Sequence, residues 1–103
     1  MEIRIHRING NKFTIHPTKD VMPALTNFIF ADQSYELSQI EPYSDVSITT
    51  GSAFNIESQE TTHFGYLECV INQGTIDELI EKIGNNFNLR ILKHSENNWT
   101  LKN

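Results

Sequence analysis

Apolar positions recur at two spacings along this chain, and the switches between them mark out its elements. Polar and apolar residues alternate through Glu2–Ile8 and again through Lys12–His16, on either side of Asn9-Gly10-Asn11. That is the pattern of a β-hairpin. Its register can be worked out from the side chains. A two-residue Asn9-Gly10 turn would pair Ile5 with Thr14 and set Phe13 opposite His6, mixing the faces. A three-residue loop pairs Ile5 with Ile15 and Arg7 with Phe13, keeping the apolar side chains together, with Asn11 taking the left-handed conformation.

The period then lengthens. Val21, Leu25, Phe28 and Ile29 follow helical spacing, with Asp20 as N-cap and Pro23 in the first turn, so a helix is predicted over 20–31. A short strand at Phe28-Ile29-Phe30 is the competing reading. In 32–44, Tyr35 and Leu37 suit a strand while Leu37 and Ile40 suit a helical turn, and Pro42 ends either. A second hairpin is predicted from Val46 and Ile48 against Phe54 and Ile56, around Thr50-Gly51-Ser52. Glu57–His63 reads as a polar loop.

Between Phe64 and Lys93 the pattern is strand, helix, strand. Leu67, Cys69 and Ile71 share one face, and Phe64, Tyr66 and Val70 the other, as in a strand covered on both sides. Glu68 interrupts that run and calls for a basic partner such as Arg90. A helix over 75–84 opens with the capping box Thr75-Ile76-Asp77-Glu78, buries Ile76, Leu79, Ile80 and Ile83, pairs Glu78 with Lys82, and closes at a left-handed Gly84. A strand over Phe87–Lys93, a turn at Ser95–Asn98 and an edge strand at Trp99–Lys102 complete the chain. The expected fold class is α+β: one domain over 1–103, with a mostly antiparallel sheet of about five to seven strands and the two helices packed against it.

Composition adds little to this until charge is mapped onto it. The chain of 103 residues is 38% hydrophobic and carries a net charge of −5. No apolar run approaches the roughly 20 residues of a membrane span, and the N-terminal residues lack a signal-peptide pattern. A single cysteine, Cys69, fits a reducing compartment, so a cytoplasmic location is expected. Frequent Ile and Asn suggest an AT-rich coding source, as in many bacteria and phages. All but Glu2 and Glu96 of the 13 acidic residues lie from Asp20 to Glu81, a span without one lysine or arginine. Such a field opposes direct nucleic-acid binding and favours a basic protein partner.

Catalytic signatures are missing. There is no phosphate-binding glycine loop, no C-x-x-C and no nucleophile elbow, and His94-Ser95-Glu96 places triad residue types too close together in a turn. His6 and His16 fall as diagonal neighbours on one polar face. With His63 or Glu2 they are the only candidates for a metal or acid–base site, and surface histidines of a hairpin are the favoured reading. The expectation is a protein without enzyme activity, metal or other cofactor. The candidate partner-binding residues are Asp32, Tyr35, Glu36, Glu41, Tyr43, Asp45, Glu57 and Glu60, where tyrosines among acids offer anchors within a steering field. The expected role is a small acidic inhibitor of the immunity-protein, antitoxin or phage anti-defence kind, directed at a basic partner such as a nuclease toxin. An accessory or scaffold domain, dimerising through the Trp99–Lys102 edge, is the alternative; a small enzyme using His6 and His16 comes third.

Overall fold

The fold was analysed in a computed structural model, which describes residues 1–43 and 65–103 and, between them, the backbone of 52–55 and 60–63. Among the described residues, eight strands and two helices follow one another as β1 (Glu2–Asn9), β2 (Lys12–Pro17), α1 (Met22–Ala31), β3 (Tyr35–Glu41), β4 (Ser52–Asn55), β5 (Glu60–His63), β6 (Tyr66–Ile71), α2 (Ile76–Phe87), β7 (Arg90–Ser95) and β8 (Asn98–Lys102). Six strands form one sheet in the order β3-β6-β2-β1-β8-β7, while β4 and β5 pair with each other. Each pairing is antiparallel. The α+β class and the two helices are as the periodicity predicts.

The N-terminal hairpin sits at the centre of the sheet in the predicted register, with Ile5 opposite Ile15 and Arg7 opposite Phe13. The left-handed residue is Gly10, at φ 43°, and not Asn11. Pairing slips by one residue between Arg7 and Asn9, so that Asn9 meets Lys12 and the tight turn falls on Gly10-Asn11. Glycine takes that conformation without steric cost, whereas asparagine only tolerates it. Asn11 instead donates its side-chain amide to the Ile71 carbonyl at 3.0 Å, tying the turn to β6.

One face of the six-stranded sheet is apolar throughout. Ile3 and Ile5 of β1, Phe13 and Ile15 of β2, Leu67 and Cys69 of β6, and Trp99 and Leu101 of β8 are all buried and lie in register across the strands. Both helices close this face. From α1 come Met22, Leu25 and Ile29, and from α2 come Ile76, Leu79, Ile80 and Ile83. Removing one such side chain from water contributes about 1.5–3 kcal/mol, which is why the apolar stripes decide where the helices dock. On the opposite face, where the described residues place no helix, Tyr66 and Val70 of β6 are only half-buried, so the strand is not covered on both sides as expected.

Helix ends depart from expectation in two places. Before α1, the Val21 amide bonds to the Thr18 carbonyl, making a turn that spends Asp20 on a hydrogen bond with Thr18; Val21 is the N-cap, with no side-chain cap, and Pro23 lies in the first turn as predicted. At α2 the Thr75 hydroxyl does accept the Glu78 amide at 3.3 Å, but the helix runs through Gly84 to Phe87 and ends on Asn88, at φ 55°. Gly84 is buried inside the helix for a packing reason: a Cβ there would lie 3.2 Å from Ile91 Cδ1 of β7. The strand expected from Phe87 therefore begins only at Arg90, with Leu89 buried in the connection.

Elsewhere, the ambiguous 32–44 segment resolves as strand β3, with a bulge between Leu37 and Gln39, and Pro42 follows its end. The segment read as a polar loop contains β5, whose Thr61 and Thr62 are β-branched and suit a strand despite their polarity. It pairs with β4; the strand at 46–49 expected to face Phe54 and Ile56, and residues 50–51 of the turn between them, lie outside the described residues. Trp99–Lys102 belongs to an interior strand, since β8 is paired on both sides and the sheet's edges are β3 and β7.

Two measurements follow from this packing. Thr75→Ala removes the cap of α2 and lowers unfolding stability by about 1 kcal/mol in urea titration. Cys69 is fully buried, and burial pushes its thiol up to about 12. A thiol reagent at about pH 8 therefore modifies Cys69 only as fast as the fold opens, and rapidly once denaturant is added.

Candidate functional site

Period two sends every second side chain of the six-stranded sheet to the face without helices. Cross-strand neighbours there are Arg90, Lys102 and Glu2 in one row, and Leu92, Thr100, Arg4 and His16 in the next. A third row runs through Asn98, His6, Thr14, Glu68 and Gln39. Charge is divided along these rows. The β7-β8-β1-β2 half presents Arg90, Lys102, Arg4 and three histidines, while the β6-β3 half presents Glu68, Glu41 and Glu36.

A depression of about 690 Å³ lies on the basic half, lined by Arg4, His6, His16, Leu92, His94 and Lys102 among others. Hydrogen bonds hold its imidazoles. His6 Nδ1 lies 2.6 Å from Asn98 Oδ1, His94 Nε2 lies 2.8 Å from Thr100 Oγ1, and His16 Nε2 lies 3.2 Å from Thr14 Oγ1. Because Asn98 Nδ2 donates to Ser95 Oγ at 3.2 Å, Asn98 turns its carbonyl oxygen to His6, so the His6 proton sits on Nδ1. His16 also stacks on Tyr66 with ring centroids 5.6 Å apart. A smaller depression of about 250 Å³ continues past Glu2, Arg4 and His16 towards Tyr43 and Gly65.

Arg4 and Lys102 are the permanent cations of the larger depression, and Glu2 lies among them. Partial burial lowers the His16 pKa below its ordinary value, and the neighbouring His6 and Arg4 lower it further. Arg4 is partly offset by Glu2, whose carboxylate lies 3.3 Å from Arg4 Nε. Lys12 and Glu68 pair at the border between the two halves; Arg90, the partner expected for Glu68, lies on the far edge strand.

The residues predicted to bind a partner are placed in several different settings. Tyr35 is buried in the core, and Tyr43 packs over Gly65 while donating its hydroxyl to the Pro17 carbonyl at 2.9 Å. Any Cβ on Gly65 would collide with the Tyr43 ring. Asp32 caps Ser34 and accepts from Lys82 at 2.9 Å, which holds its carboxyl below the usual range. Lys82 thus reaches across to Asp32 instead of pairing with Glu78. Glu36 is exposed and Glu41 half-buried, both on the edge strand β3. Glu60 falls in β5 with only its backbone described, and Asp45 and Glu57 lie outside the described residues.

His6 and His16 share a face as predicted, and the third histidine of that depression is His94. His63 lies in β5, its side chain undescribed. Sequence reasoning discarded His94 as one member of an implausible triad. The available signal was the pairing of Ser95 with Asn98 around Glu96-Asn97, which fixes the face of β7; the placement of β8 beside β1 had no local signal. Among the described residues no three His, Cys, Asp or Glu side chains are placed to share a metal ion, and no helix is long and apolar enough to cross a membrane. The chain matches no protein-family model, no curated protein and no solved structure.

The His16 environment has a measurable sign. Its folded pKa is depressed, so the unfolded chain takes up the proton first as pH falls through about 6.5, and stability is lost from there down to the lower folded value. NMR titration of the imidazole is expected to show His16 titrating below the ordinary range. His6→Gln raises that value only part of the way, because burial remains.

Proposed function

We propose that the protein is a small inhibitor that captures a basic, nucleic-acid-acting protein at its acidic sheet edge. The observation that supports this reading is the character of β3. Among the described residues it pairs only with β6, leaving one side of the strand unpaired, and it carries Glu36 and Glu41 with Glu68 beside them. An unpaired edge offers backbone donors and acceptors to an incoming strand or loop. Carboxylates along the same edge select for positive charge and speed its arrival.

Asp32, paired with Lys82, and Tyr35, buried in the core, support the edge from behind, while Glu36 and Glu41 are the contact residues. Asp45, Glu57 and Glu60 belong to the same basic-free part of the sequence. A nuclease toxin, with a cationic groove for its substrate, is the kind of partner such a surface fits, as for immunity proteins and antitoxins. Inhibition is by occlusion, with no catalytic step and no cofactor. The site of action is the cytoplasm, where Cys69 stays reduced.

The scaffold alternative gains one specific observation at the other edge. On β7, Ile91 and Leu92 are 42% and 36% exposed, on an edge strand that pairs only with β8 among the described residues and that a second copy would extend. Self-association through β7 is therefore the second reading, in place of the interior β8.

The test is affinity capture from the native host followed by binding kinetics of the captured protein. Glu36→Lys with Glu41→Lys is expected to slow association by about tenfold or more, and added salt to weaken the wild-type complex steeply. The protein alone should sediment as an 11.9 kDa monomer. A salt-insensitive complex, or a concentration-dependent dimer with no captured partner, would refute the inhibitor reading.

A further inference from the structure

We propose that the depression on the basic half of the open face binds a small phosphorylated ligand, held by Arg4, Lys102 and the imidazoles of His6, His16 and His94. The site is independent of the β3 edge, lying on the other half of the sheet.

Three observations converge on a phosphate group. First, the depression gathers two permanent cations and three imidazoles around about 690 Å³, with Glu2 as the one carboxylate of its lining among the described residues. That is a positive island in a chain of net charge −5. Secondly, its donors are oriented beforehand. His6 keeps its Nδ1 proton on Asn98, leaving Nε2 to donate to an anion once the ring is protonated. Thr100 Oγ1 positions His94, and stacking on Tyr66 positions His16. Charge-assisted hydrogen bonds from such groups to phosphate oxygens are the strong ones. Thirdly, the positive field of Arg4 and His6 at His16 is a cost that an anion would relieve, so binding and protonation of these rings reinforce each other.

Size and surroundings argue for a small molecule over a nucleic acid. The volume falls within the range of small-ligand sites, about 300–1,000 Å³. A polynucleotide crossing the sheet from here would run onto Glu68, Glu41 and Glu36, where each phosphate is repelled. A compact ligand avoids them. Leu92, 36% exposed at the wall, offers apolar contact for a non-phosphate portion.

The probe is inorganic pyrophosphate, titrated into the full chain while the histidine ring signals are followed by NMR. The charged and titratable groups facing the site are Glu2 and Arg4 of β1, Lys102 of β8, and the three histidines of β1, β2 and β7. Saturable shifts are expected in His6, His16 and His94, with the His16 pKa rising on binding and affinity tightening about tenfold between about pH 8 and about pH 6. His6→Gln with His94→Gln, both at exposed positions, should weaken binding about tenfold with the amide spectrum retained. The assignment is overturned if shifts scatter over surface lysines, if affinity does not depend on pH, or if the double variant binds as wild type does. Single-stranded RNA binding at the same rings more tightly than pyrophosphate would equally overturn it. None of these outcomes bears on association at the β3 edge.

Discussion

The register of the β1–β2 hairpin is the constraint on which the rest of the structure depends. Both strands are interior, so every other strand of the main sheet joins on one side of the pair or the other. Ile5 faces Ile15 within the hairpin, and the apolar row continues through β2 to Leu67 and through β1 to Trp99. A slip of one residue would put Ile3 and Ile5 on the opposite face from Phe13 and Ile15 and split the apolar surface. With the hairpin in place, the stripes of α1 and α2 have a single apolar surface on which to dock.

The same constraint sorts the charges. The span from Asp20 to Glu81 holds no basic residue, and it builds β3 and β6; the flanking segments hold the bases, and they build β1, β2, β7 and β8. Strand order thus converts an asymmetry along the chain into one across a surface. Two acids of that span find partners beyond it. Asp32 meets Lys82 and Glu68 meets Lys12, each pair joining a residue of the acidic span to one outside it. Solvent-exposed pairs of this kind contribute little to stability, so the sorting matters more to recognition.

Much of the fold was legible because its signals are local. The hairpin register follows from keeping Ile5, Ile15 and Phe13 on one side, and the α2 stripe and cap follow from spacing alone. What escaped depended on contacts between distant segments. Gly84 looked like a terminator, but its lack of a side chain serves Ile91 of the next strand, and the helix passes straight through it. β5 was hidden by polarity, since threonine fits a pleated strand without marking an apolar face. For the candidate site, the pairing of His6 with His16 was visible within one hairpin. The addition of His94, Arg4 and Lys102 required knowing that the last strand lies beside the first.

That adjacency also bears on how the sheet assembles. Glu2 lies opposite Lys102 and Ile5 opposite Trp99, so the ladder beside the central hairpin joins the first strand to the last. In chain order β2 follows β1 directly, while β8 comes after every other element. Until Asn98–Lys102 docks, β1 presents an open edge with Ile3 and Ile5 on its apolar face. Non-local ladders of this kind carry the full entropy of loop closure before any contact repays it, and they fold slowly. The central hairpin therefore keeps one backbone edge open until β8 closes it, and that edge is where a half-folded chain would join another copy.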